Sequence, residues 1–165
     1  METEIANATL KALRRILRAT DRGSRTLAAA TGLTPSQLLV LREVESRVDV
    51  TPSVIAQRLQ FSHATITAIT DRLVALGLIT RTRSSKDKRQ VLLDATNEGR
   101  QRLEDAPDMM QEIFASRFIR LPMWEQAMIL AGAERLAGLL GAEDIDAAPL
   151  LDAGLIDRVG SRDPA

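Results

Sequence analysis

Cysteine is absent from the 165 residues. That absence excludes a disulfide scaffold, a cysteine-ligated zinc centre and a thiol-based redox switch. His63 is the single histidine, which excludes a multi-histidine metal site. Long apolar runs are missing as well, and no stretch nears the ~18 residues a membrane span requires. The opening METEIANATLKALRR has no apolar core of the kind a secretory signal carries. There is no Gly-rich phosphate loop and no internal repeat. These absences predict a cytoplasmic protein with no metal, no cofactor and no membrane association.

Net charge is also missing, with 22 basic and 22 acidic side chains. The balance conceals a strong asymmetry. Residues 1–50 carry net +2, residues 51–102 net +5 and residues 103–165 net −7. A positive middle suits a polyanion, while the acidic end suits water or a partner. Apolar residues make up 45% of the chain, enough for a real core.

Helical spacing dominates what is present. Leu10, Leu13 and Leu17 lie on one face of a first helix that Gly32 ends. Thr34-Pro35 and Thr51-Pro52 each read as an N-cap followed by proline at the first helical position. They open helices with Leu38, Leu41 and Val44, then Ile55 and Leu59, turned inward. Ser62 caps a fourth helix, residues 62–76, with inner stripe Ile66, Ile69, Leu73 and Leu76 before Gly77. Three short helices with tight connections are the material of a helix-turn-helix. Residues 78–82 and 90–94 then read as two strands around RSSKDKR, a β-hairpin with a charged tip. Helical spacing resumes after Thr96 with Leu103, Met110, Phe114 and Phe118, broken near Pro107. A last helix runs from about Pro122 to Leu140, with Trp124, Met128, Leu136, Leu139 and Leu140.

The face of the fourth helix opposite its apolar stripe is Ala64, Thr67, Ala68 and Asp71, with His63 at its leading edge. Small and hydroxyl-bearing residues let a helix backbone approach a major groove, where Thr67 can meet a base edge while Ser62 or Thr65 reaches phosphates. The same face also fits an exposed surface of modest polarity, with His63 as a surface or capping side chain. The hairpin adds Arg81, Arg83, Lys86, Lys88 and Arg89, five cations within nine residues opposed only by Asp87. Such a cluster attracts phosphates through counterion release, and an arginine at the tip can enter a narrow minor groove. Asp87 is expected to orient Arg89 or anchor the loop backbone.

Catalysis finds little support. Ser62 and His63 are adjacent on a helix and do not face each other. Glu104-Asp105 and Glu143-Asp144 read as solvated pairs, so the chain is expected not to be an enzyme. The terminal helices are more apolar than one small winged unit can absorb. They fit either packing across a homodimer or a private helical core.

GLTPSQLLVLREV (32–44), TPSVIAQRLQFSHATITAITDRLVALGLITR (51–81) and RSSKDKRQVLLDATNEG (83–99) resemble the MarR family of winged-helix regulators. The likeness runs from the first helix to about residue 140. Its most specific element is the wing, where Asp87-Lys88-Arg89 matches the family's Asp-x-Arg. Ala95-Thr96-Asn97-Glu98-Gly99 stands for its Leu-Thr-x-x-Gly ending, with Ala95 in place of the usual Leu, a departure expected to affect only packing under the wing. The resemblance implies a mainly α fold, a winged helix-turn-helix with a two-stranded β-wing and N- and C-terminal dimerisation helices. It implies a homodimer that binds double-stranded promoter DNA, usually as a repressor, and is released by a small-molecule effector. The recognition helix would be 62–72, with Ser62, His63, Ala64, Thr65, Thr67 and Ala68 near DNA and Arg89 in the minor groove. Ala68 stands where many members have arginine, which removes one bidentate guanine contact. The implied organisation is a dimerisation helix at 1–31, a winged domain at 32–96, dimerisation helices at 97–141 and an acidic appendage at 142–165. LRRILRATDRGSR (13–25), Trp124-Glu125-Gln126 and IDAAPLLDAG (145–154) are further similar to the subgroup associated with ectoine and compatible-solute genes. The competing expectation is a helical protein-interaction module that docks a partner through its acidic C-terminal third.

Overall fold

The computed structural model describes residues 2–85 and 87–142. In chain order it contains α1 (Glu2–Thr31), α2 (Pro35–Glu45), α3 (Pro52–Leu59), α4 (His63–Ala75), β1 (Ile79–Arg83), β2 (Val91–Ala95), α5 (Asn97–Glu104), α6 (Met110–Phe118) and α7 (Met123–Leu139). Among the described residues no helix is long and apolar enough to cross a membrane.

Local chemistry explains most boundaries. Thr34 closes a capping box: its hydroxyl accepts from Gln37 N–H while the Gln37 side chain accepts from Thr34 N–H. Thr51, Ser62 and Thr96 each accept from the backbone N–H three residues on. Gly32, at φ +70°, ends α1. Gln60 makes the turn between α3 and α4 at φ 54°, a left-handed conformation that side chains seldom adopt. The α5–α6 break falls at residues 105–109, around Pro107.

The hairpin pairs antiparallel, from Ile79 opposite Ala95 to Arg83 opposite Val91. Each strand begins and ends one residue later than the expected 78–82 and 90–94. Leu78 is used otherwise. Its N–H donates to Leu73 O (3.0 Å) and Gly77 N–H to Val74 O (2.9 Å), the paired bonds that terminate a helix. Gln90 likewise belongs to the tip, its N–H donating to Asp87 O (2.9 Å). The same helix ending corrects Leu76, expected on the inner stripe of α4. It is the C-cap and 38% exposed, while Leu78, carried round by Gly77, fills the inward place at 2%.

The core gathers Leu38, Leu41 and Val44 of α2, Ile55 of α3, Ile66, Ile69 and Leu73 of α4, and Leu78, Ile79 and Leu93 around the wing. Val50 extends the sheet by one bridge, its carbonyl accepting from Leu93 N–H (2.8 Å). Leu27 and Leu33 plug the end of α1 into this core, and Met109 does so ahead of α6. The rest of the flanking helices is uncovered. Leu10 and Leu17 of α1 are exposed, and α6 and α7 have no buried residue. Met123, Trp124 and Met128 all face outward.

The wing is closed onto α5 at one tight point. Leu78 O accepts from Thr96 N–H (3.0 Å), and Thr96 Oγ1 donates to Gly77 O (2.8 Å). A Cβ on Gly99 would sit 2.2 Å from Leu78 O, well inside contact distance. Gly99→Ala is therefore expected to destabilise the fold by about 2–3 kcal/mol through overpacking against backbone that cannot rotate away. Urea unfolding measures it, with Gly132→Ala, where the added Cβ meets open space within α7, as the comparison expected to be stabilising by up to about 1 kcal/mol.

Candidate nucleic-acid interface

The small-residue face of α4 is open. His63, Ala64, Thr67, Ala68 and Asp71 are exposed, while Ile66, Ile69, Thr70 and Leu73 are buried beneath them. Ser62 and Thr65 are tied together at the helix start, with hydroxyls 2.8 Å apart and Ser62 Oγ accepting from Thr65 N–H (3.0 Å). Thr67 Oγ1 donates its proton to His63 O (2.8 Å), so outward it presents a methyl group and acceptor lone pairs.

The wing tip is a hydrogen-bonded loop. Ser84 N–H donates to Gln90 O (3.1 Å), and Asp87 N–H donates to Ser84 Oγ (3.3 Å). The Asp87 carboxylate accepts from Arg89 N–H (3.0 Å), so it holds the loop backbone. Arg83, Lys88 and Arg89 are exposed, and among the described residues none has a carboxylate partner. Lys86 lies outside the described residues, as do residues 143–165 of the expected appendage.

Arg81 is placed differently from its neighbours. Its Nη1 lies 2.5 Å from Asp71 Oδ1, and its Nη2 donates to Thr70 Oγ1 (2.6 Å). Thr70 Oγ1 in turn donates toward Ile66 O and Thr67 O (2.8 and 3.0 Å). The guanidinium thus clamps β1 to α4 and is neutralised by Asp71. With side chains 34% and 56% exposed, this pair contributes at most about 1 kcal/mol to stability, so what it fixes is geometry. No sequence signal links residues ten apart across a helix end and a strand start. The clamp becomes visible only in the fold.

A second feature the sequence did not announce lies between α1 and α6. A groove of about 710 Å³ is lined by Arg15, Arg18 and Arg22 on one side and by Asp108, Met110 and Ile113 on the other. Beside it, Arg42 of α2 pairs with Glu112, whose other oxygen accepts from Met109 N–H (3.0 Å). Among the described residues no cluster of histidine and carboxylate side chains could hold a metal ion.

Residues 31–90 match the model of the MarR family. The winged-helix part of the chain is thus similar to the MarR family. The transcriptional repressor MdtR of Bacillus subtilis is 36% identical over 74 residues, which cover 45% of this chain and 48% of MdtR. The chain thus spans about half the length of this curated relative. The likeness in structure reaches further. A MepR-like protein complexed with pseudoligands superposes at TM-score 0.57 with 26% identity, covering 81% of this chain and 94% of that one. A mutant Escherichia coli MarR complexed with operator DNA shares the fold at TM-score 0.56 and 22% identity, over 76% of this chain and 91% of that one. Family and relatives are transcriptional regulators, not enzymes.

If Arg81 clamps the wing, Arg81→Met should weaken DNA binding without altering its salt slope. A phosphate-contacting arginine would instead reduce the slope by about 1 on removal. Fluorescence anisotropy across a salt series separates the two.

Proposed function

We propose that two copies of this chain form a homodimer that represses transcription by binding a pseudo-palindromic promoter site. The observation that carries this reading is the exposed small-residue face of α4 clamped beside a wing whose Arg83, Lys88 and Arg89 have no carboxylate partner among the described residues. Together they form a reader with a slim helix for the major groove and arginines for the minor groove and phosphates. Ser62, His63, Ala64, Thr65, Thr67 and Ala68 serve the first role. Arg83, Lys88 and Arg89, with Lys86 from the sequence, serve the second. Asp87 holds the tip and Arg81 holds the wing against α4.

The exposed apolar side chains of α1, α6 and α7 support the dimer, because so many large apolar side chains on a few helices are rarely all left in water. A two-fold axis through these helices would present two α4 helices to major grooves about 34 Å apart. Residues 1–31 and 97–141 then serve dimerisation, and 32–96 reads DNA. That MdtR is a repressor, and that a structural neighbour is complexed with operator DNA, supports the same assignment. A small-molecule effector fits the groove between α1 and α6, from which Arg42–Glu112 leads into α2. The likeness of residues 13–25 and 124–126 to the compatible-solute subgroup extends the proposal to promoters of osmotic-stress genes.

Sedimentation velocity should give a particle of twice the 18.1 kDa chain mass. In a gel shift with DNA upstream of its own gene, the chain should retard the fragment. Affinity should fall about 10³–10⁵-fold between 50 and 200 mM salt if 6–10 phosphates are neutralised. Arg89→Ala should weaken binding to all sequences, whereas Thr67→Ala should change which sequence is preferred. A lone subunit, or DNA that runs unretarded, would remove this reading in favour of a protein-interaction module.

A further inference from the structure

We infer that the cationic face of α1 is the docking surface for the acidic segment 143–157 of this same chain. Lys11, Arg14, Arg15, Arg18, Arg22 and Arg25 fall within a ~100° sector of α1. All six are exposed, and among the described residues none has an ion-pair partner. Asp21 is the sole carboxylate on that stretch of helix. Six like charges along four turns repel one another, and every carboxylate brought among them relieves that repulsion.

The groove beside this stripe, where a small-molecule effector would compete with the segment, sets the chemistry of its occupant. Arg15, Arg18 and Arg22 form one wall, with Asp108 the single acid at the rim, and Met110 and Ile113 give an apolar floor. An occupant must therefore carry carboxylates interleaved with aliphatic side chains. Segment 143–157 has that composition: Glu143, Asp144, Asp146, Asp152 and Asp157 alternate with Ile145, Leu150, Leu151, Leu155 and Ile156, and no cation intervenes. It lies outside the described residues, and in sequence it begins four residues after Leu139, the last residue of α7. Extended, its 15 residues span about 50 Å, against about 45 Å for the whole of α1. Because it is tethered, its local concentration at the stripe far exceeds that of a free acidic peptide. The wing tip is cationic as well, and the test below separates it from α1.

The complex is held by screened charge, so salt should release it. The chain's lack of cysteine makes the test clean: Ala148→Cys in the full-length protein takes a single nitroxide label. In amide NMR spectra without DNA, signals from residues 11–25 should lose intensity about threefold or more at ~20 mM salt. They should recover at ~1 M, where the screening length shrinks from ~20 Å to ~3 Å. Replacing Asp144, Asp146 and Asp152 together with Asn should restore them at low salt. A thermal unfolding midpoint of the Asn variant equal to that of the parent chain keeps loss of folding from confusing the result. Unchanged α1 signals, broadening of α4 and the wing instead, or broadening that survives charge neutralisation would each overturn the proposal. Because no DNA is present, failure here is distinct from failure of the regulator reading.

Discussion

Leu78 is the residue on which the reader's geometry turns. Its side chain is buried, its N–H closes α4 on Leu73 O, and its carbonyl receives Thr96 N–H where the second strand hands over to α5. Gly99 is compressed against the same carbonyl, which leaves α5 no alternative approach. These bonds set where β1 begins relative to the end of α4 and where β2 must end. Register between them fixes the tip, since a slip by one residue would turn every side chain of the hairpin to the other face. The position of Arg89 is thus decided more than ten residues before and seven residues after it. The Thr-x-x-Gly sequence at residues 96–99 is what that junction needs: a hydroxyl that both donates and accepts, then a residue with no Cβ.

Charge is divided between holding and reaching. Glu43 accepts both Arg47 and Arg58, at 2.6 and 2.5 Å, tying α2 to α3. Arg102 joins Glu98 to the Thr31 carbonyl at the end of α1, and Arg81 joins α4 to β1. Exposed pairs of this sort contribute little free energy, but they fix orientation. Among the described residues, cations without a carboxylate partner are most concentrated in two places, the wing tip and the outer face of α1. A formal charge of zero therefore describes neither the end that would meet DNA nor the helix that would meet an acid.

Much of the architecture was legible because its causes are local. Thr34, Thr51, Ser62 and Thr96 announce helix starts through hydroxyls that serve N–H groups three residues away, and proline at the next position reinforces two of them. Gly32 and Gly77 announce two ends. The misreadings share one cause. The paired bonds that finish α4 consume Leu78, and this moved both strands and exposed Leu76. Periodicity alone cannot register that a helix has closed one residue early. The outward face of α4 was legible as well, since it is the complement of a regular apolar stripe. The Arg81 clamp and the arginine-walled groove were not, because each depends on elements brought together only by the tertiary fold.

The helices at the two ends show the limit of reading one chain alone. Leu27, Leu33 and Met109 are committed to the winged core, yet farther along α1, α6 and α7 large apolar side chains such as Leu17, Phe114 and Trp124 lie in water. A sequence that spends Trp124, Met123 and Met128 on an exposed surface is not stabilising the monomer with them. Their burial free energy, about 1.5–3 kcal/mol for each large side chain, is realised only when another surface covers it. The link from that surface to the winged core is narrow: the Arg42–Glu112 pair, the Arg102 bond to Thr31 and the few core side chains between. A narrow link between an uncovered helical layer and a finished reader means that whatever covers the layer also sets where the reader points. Assembly and recognition are then one equilibrium rather than two.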